Sequence, residues 1–140
     1  MRQSIKQINK YVILGLLYSN IYMLIELLYR GYTHYSMGIL AFCIGLLIGS
    51  LNKIFPWKIP LVVQAFYGAC IATTGEYLFG ILFNRDYSIW SYLDQPFNFQ
   101  GQICLLFFFI WFGLSFVVII LDDYLKYWLF NEDKPKYKFF

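Results

Sequence analysis

Charge is scarce in this chain: of 140 residues only 14% are Asp, Glu, Lys or Arg, while 60% are apolar and 23% aromatic. A water-soluble domain of this length could not hide that much apolar surface in one core, so the expectation is an integral membrane protein. Cysteine and histidine are scarce too. Cys43, Cys70 and Cys104 stand singly in apolar stretches without metal-like spacing, which predicts neither a disulfide framework nor zinc and reads as packed membrane cysteines. No G-x-x-x-x-G-K-[ST] loop is present, so the chain carries no nucleotide-binding motif of that kind and no cofactor is implied. No A-x-A-like site follows the first apolar stretch, which therefore reads as an uncleaved span and not as a signal peptide.

What the sequence does have is four hydrophobic stretches of spanning length, at about residues 11–29, 34–52, 60–83 and 102–121, each near the ~20 residues that cross a bilayer. The fold class expected is all-α: a compact bundle of four transmembrane helices forming one domain over 1–140, with a tail at 122–140. Nine of the eleven Lys and Arg residues sit before span one (Arg2, Lys6, Lys10), between spans two and three (Lys53, Lys58) or after span four (Lys126, Lys134, Lys136, Lys138). Only Arg30 and Arg85 lie in the other two connections. By the positive-inside rule both termini are cytoplasmic and the long connection between spans three and four is external, in the cell membrane. So strong a bias argues against inverted protomers. It also accounts for the net charge of +3 without a nucleic-acid partner.

Small residues suggest how the spans pack. Ala41, Gly45 and Gly49 repeat every fourth residue in span two, and Gly68 and Ala72 do so in span three, allowing close backbone approach; Gly45, Gly49, Gly68 and Ala72 are the expected packing positions. In span one Tyr11, Gly15, Tyr18, Tyr22, Glu26 and Tyr29 recur at intervals of three and four, giving a polar, aromatic face that should turn inward. In span four Cys104, Trp111, Ser115 and Asp122 share a face, and Tyr124, Trp128 and the following lysines read as an interfacial anchor.

Two carboxylates interrupt the apolar runs. An ionisable group in hydrocarbon must be neutralised, paired or turned to a polar cavity, so Glu26 and Glu76 each point to a site. Glu26 has a ready i,i+4 partner in Arg30, and a structural ion pair explains much of it. Glu76 has no cation within one turn. It precedes Asn84 by eight residues, ~12 Å along a helix, which puts it in the outer half of the membrane with His34 on the same side. Residues 84–101, NRDYSIWSYLDQPFNFQG, are too long for a structureless loop inside a compact domain, so an ordered segment is expected: Trp90 and Tyr92 at headgroup level, and a turn from Pro96 through Asn98 to Gly101. The plainer reading is an aromatic belt with a tight turn.

The run Glu76-Tyr77, Trp90-x-Tyr92, Pro96-Phe97-Asn98-x-x-Gly101-x-Ile103-Cys104-Leu105 and Trp111 resembles the CmpB-type membrane proteins, labelled putative ABC-transporter type IV. Glu26 followed by Arg30-Gly31 resembles that family's first-helix glutamate and Arg-Gly turn. The likeness covers about residues 14–121. Two departures stand out: Trp90-Ser91-Tyr92-Leu93 replaces the usual Trp-Asp-Tyr-Ser, and the run from Arg30 to Met37 replaces a commoner Phe/Tyr-Gly-Pro segment. The resemblance implies a multispan membrane protein with a transporter label, in which ATP would be used through a separate ATPase subunit.

Three functions are then expected, in this order. The first is a small permease-like or substrate-capturing subunit, with a polar site lined by Glu26, Glu76 and His34, lidded by Trp90, Tyr92, Asp94 and Asn98, and binding a cation or proton at Glu76. The second is a scaffold or accessory subunit of a membrane complex. The third is an intramembrane enzyme modifying lipid, for which two carboxylates and a histidine could serve as acid and base; a non-enzyme is favoured over it. A homodimer or a second membrane subunit is expected, since four helices enclose only a narrow path.

Overall fold

A computed structural model describes residues 2–51 and 59–135. The first helix, α1 (Arg2–Arg30), runs for 29 residues because no proline interrupts it. It begins nine residues before the expected span, since the basic arm consists of good helix formers. It stops at Gly31, which takes the left-handed conformation (φ +80°) while its N–H donates to the Leu27 carbonyl at 2.9 Å.

His34 caps the second helix, α2 (Tyr35–Gly49), accepting from the Ser36 N–H. At 15 residues, roughly 22 Å, α2 is short of a full crossing. It packs against α1 on one side and against both later helices on the other. A helix so enclosed need not meet lipid over its whole length. Asn52, expected at the end of this span, and Lys53, Lys58, Lys136 and Lys138 of the charge count lie outside the described residues.

The third helix, α3 (Leu61–Phe83), and the fourth, α4 (Leu105–Phe130), pack closely on each other. With α1 they are, among the described residues, the three helices long and apolar enough to cross a membrane. α4 continues nine residues beyond its expected end, through the segment read as tail. There Asp122 and Lys126 pair one turn apart and the Tyr124 ring packs at a tilt against Trp128, so the charged stretch is held as helix. Asn131, in the left-handed conformation, ends it.

The core is built around α2: Met37, Leu40, Ile44 and Ile48, with Leu51 just beyond it, meet Leu61 and Ala72 of α3 and Ile119 of α4. Small residues set the spacing. Gly45 lies against the Tyr18 ring of α1, Gly49 against the Asp122 side chain of α4, and Gly68 against Ser115 of α4. The two glycines of one G-x-x-x-G segment thus face two different helices of the same chain. Aliphatic side chains such as Leu16, Leu24, Val63, Leu82, Leu106 and Val117 point outward, the pattern of a lipid-facing surface.

The α3–α4 connection is ordered and carries a small hairpin, β1 (Asn98–Phe99) against β2 (Ile103–Cys104), antiparallel with Asn98 opposite Cys104. At its tip Gly101 has φ +67°, and a Cβ there would collide with Leu93 and Tyr87, so glycine is required twice over.

Candidate functional site

Two polar clusters lie at opposite ends of the bundle. The first surrounds Glu76, which is 2% exposed. One oxygen accepts from the Tyr92 hydroxyl at 2.7 Å, the other from the Trp111 indole N–H at 2.8 Å. Both donors are neutral, and among the described residues Glu76 makes no ion pair. Burial, reinforced by the adjacent carboxylate, pushes the Tyr92 hydroxyl well above the usual phenol range, so it stays a donor.

Glu26 is held differently. Arg30 donates to one of its oxygens at 3.1 Å and Thr33 to the other at 2.8 Å. The Arg30 guanidinium also reaches the Ile89 carbonyl at 3.2 Å, tying the end of α1 to the α3–α4 connection. The two glutamates interact electrostatically, and Tyr22 is near enough to interact with both. Tyr22 stacks on Trp111, with centroids 5.9 Å apart and planes 12° from parallel. With both glutamates ionised, the group has one negative charge in excess.

The structure separates the expected site residues. Tyr92 reaches Glu76, and Glu26 lies within electrostatic range of it. Trp90 does not reach the carboxylates: it is buried and its indole donates to the Gln102 carbonyl at 2.9 Å. Asn98 shapes the hairpin, donating to the Gln95 carbonyl at 2.8 Å and accepting from the Gly101 N–H at 3.0 Å. His34 is exposed, with its Nδ1 engaged by Ser36, and Asp94 is exposed. Tyr22 was visible in the sequence as a member of a helix face, and Trp111 as a helix-face residue and part of the family-like run; that both would converge on Glu76 depends on how α1, α3 and α4 pack.

Beneath the connection lies Asn84, wholly buried at the end of α3. Its side chain accepts from the N–H groups of Ile89 (2.9 Å) and Trp90 (3.3 Å) and donates to the Trp90 carbonyl (2.7 Å) and Gln102 (2.9 Å). Gln102 returns a bond to the Asn84 carbonyl at 2.9 Å. This amide pair fixes the segment that delivers Tyr92 to Glu76.

The second cluster joins α1 to α4 at the far end. The Tyr18 hydroxyl donates to Asp122, Lys126 lies 2.5 Å from the other Asp122 oxygen, and Lys10 pairs with Glu132 at 2.5 Å. Between the clusters is a partly open cavity of about 60 Å³, bounded by α1, α2 and α4 and almost wholly apolar. Tyr22 and Trp111 line it towards Glu76, and Tyr18 lines it towards Asp122.

Lipid-facing helices enclosing buried, paired carboxylates define a membrane protein. A family model described as "Putative ABC-transporter type IV" (CmpB) matches residues 9–137, nearly the whole chain. The chain belongs to this family, as its motifs lead one to expect. No curated protein and no solved structure matches it.

Proposed function

We propose that the protein is a small permease-like, multi-pass subunit of the cell membrane that captures a proton or cation at Glu76, in the half of the bilayer away from the cytoplasm. The observation that carries this is a buried carboxylate satisfied only by neutral donors, with a second carboxylate within electrostatic range. An ion pair fixed for structure would have brought a cation to Glu76, as Arg30 is brought to Glu26. The positive-inside bias orients the site outward, and the family label supports a transport complex with a separate ATPase subunit.

Infrared difference spectra of the purified protein in lipid, recorded as pH is stepped or a cation added, should carry a carboxyl signal. Glu76→Gln should remove that signal while the helical content is kept. An unchanged spectrum in the variant eliminates Glu76 from this role.

The scaffold reading draws support from one feature. Tyr92 packs directly on Glu76 and Trp90 is buried beside it, so the space under the connection is filled by protein. The lipid-enzyme reading is weaker, because its one histidine is an exposed helix cap.

A further inference from the structure

We infer that the ligand taken at this site is an organic cation of single charge with one small apolar arm, held by Glu26 and Glu76 with that arm in the cavity between α1, α2 and α4. This rests on Glu76 being a binding carboxylate and adds the class of cargo.

Charge comes first. With both glutamates ionised, two carboxylates and one arginine leave one negative charge in excess, which complements a monovalent cation and repels an anion. The groups on Glu76 argue against a small hard cation. Tyr92 and Trp111 occupy its oxygens as donors, and among the described residues no three His, Cys, Asp or Glu come together as ligands. Such ions take six or more oxygens. Aromatic rings, by contrast, suit a diffuse organic charge, whose attraction to a ring face needs no ligand geometry. Tyr22, Tyr92 and Trp111 supply three of them.

The cavity supplies the rest. At about 60 Å³ it exceeds the ~10–15 Å³ needed for one water, yet its walls of Met37, Leu40, Ile44, Leu114 and Val118 offer water almost no partner. Space of that kind favours hydrocarbon. Trp111 belongs to both places: it lines the cavity and its N–H holds Glu76. One layer of rings therefore divides the carboxylate from the cavity. When the Tyr22–Trp111 stack parts, the ligand's charge replaces the indole N–H on Glu76 while its apolar arm stays below.

The test uses the full chain in lipid nanodiscs titrated with benzyltrimethylammonium, whose single phenyl arm suits the cavity, with neopentylbenzene, its neutral carbon isostere, correcting for partition into lipid. Saturable binding of the cation is expected, weakened at least about tenfold by Glu76→Gln. Val118→Phe and Ala41→Leu, which fill the cavity from two different helices and leave both glutamates in place, should weaken it likewise; either suffices if the other misfolds. Binding that survives Glu76→Gln, or that falls in Glu76→Gln but survives cavity filling, overturns the inference. No saturable binding while the Glu76 infrared signal persists overturns the cargo class alone. Loss of both takes the site reading with it.

Discussion

Asn84 shows how much one side chain can organise. Four hydrogen bonds converge on its amide, and each partner is a backbone group or side chain of the connection that has little access to water. Asn84→Leu would leave the Ile89 and Trp90 N–H groups and the Trp90 carbonyl unpaired at ~1–3 kcal/mol each, partly relieved by local opening, so a net loss of about 2–4 kcal/mol is expected. Denaturant unfolding in detergent measures it. The same variant should raise exchange of the connection's amides, because the segment that carries Tyr92 loses its anchor. Neither asparagine nor glutamine here stands out in the sequence: Asn84 reads as the end of a span, and its pairing with Gln102, 18 residues on, exists only in three dimensions. Glu76 was legible because a carboxylate in an apolar run is conspicuous by itself. Of its two partners Tyr92 stood among the expected lid residues, whereas Trp111 was not assigned to the site, since aromatic residues are common throughout this chain.

Among the elements, α4 carries the largest departure from expectation. Asp122 and Lys126 look like residues of a cytoplasmic tail, yet they are 1% and 5% exposed, and Asp122 faces α1 and α2. The Lys126 ammonium sits close to an Asp122 oxygen that lacks an aligned hydrogen bond, so this is an ion contact held by packing. A buried pair of this kind is weak evidence for stability, but removing one partner strands the other charge. Lys126→Met alone should destabilise the protein by about 3–5 kcal/mol, whereas the double variant Asp122→Asn/Lys126→Met should recover most of that loss. Thermal unfolding of the two variants in one detergent checks it; equal losses would show that the pair is not the cause. The G-x-x-x-G stripe of α2 is used within the chain, Gly45 for α1 and Gly49 for α4, so this stripe is occupied before any partner arrives.

At the scale of the molecule, contacts fix which ends lie together. Lys10 of α1 meets Glu132 just after α4, and Arg30 at the other end of α1 meets the α3–α4 connection. The bundle therefore has one end holding the start of α1 and the finish of α4, and an opposite end carrying the long connection. Given the lysine bias, the first end should be cytoplasmic. With the three native cysteines replaced, Asp94→Cys should react with an impermeant maleimide on intact cells. Lys134→Cys should react only after the membrane is opened, and the reverse pattern would invert the assignment.

The sequence alone determined that this is a membrane protein, which family it resembles and where two anomalous carboxylates stand, because hydropathy, charge bias and short motifs are local properties of the chain. Helix ends followed only in part. The finish of α4 depends on residues whose polarity suggests water but which the bundle holds as helix, and the start of α1 is an exposed extension of the helix through the basic arm. The tertiary structure decided that Tyr92 and Trp111, not His34 or Trp90, complete the Glu76 site, and that a second ionic cluster and an apolar cavity lie below it. Those are matters of which helix faces meet, and helical periodicity identifies a face without naming the face opposite.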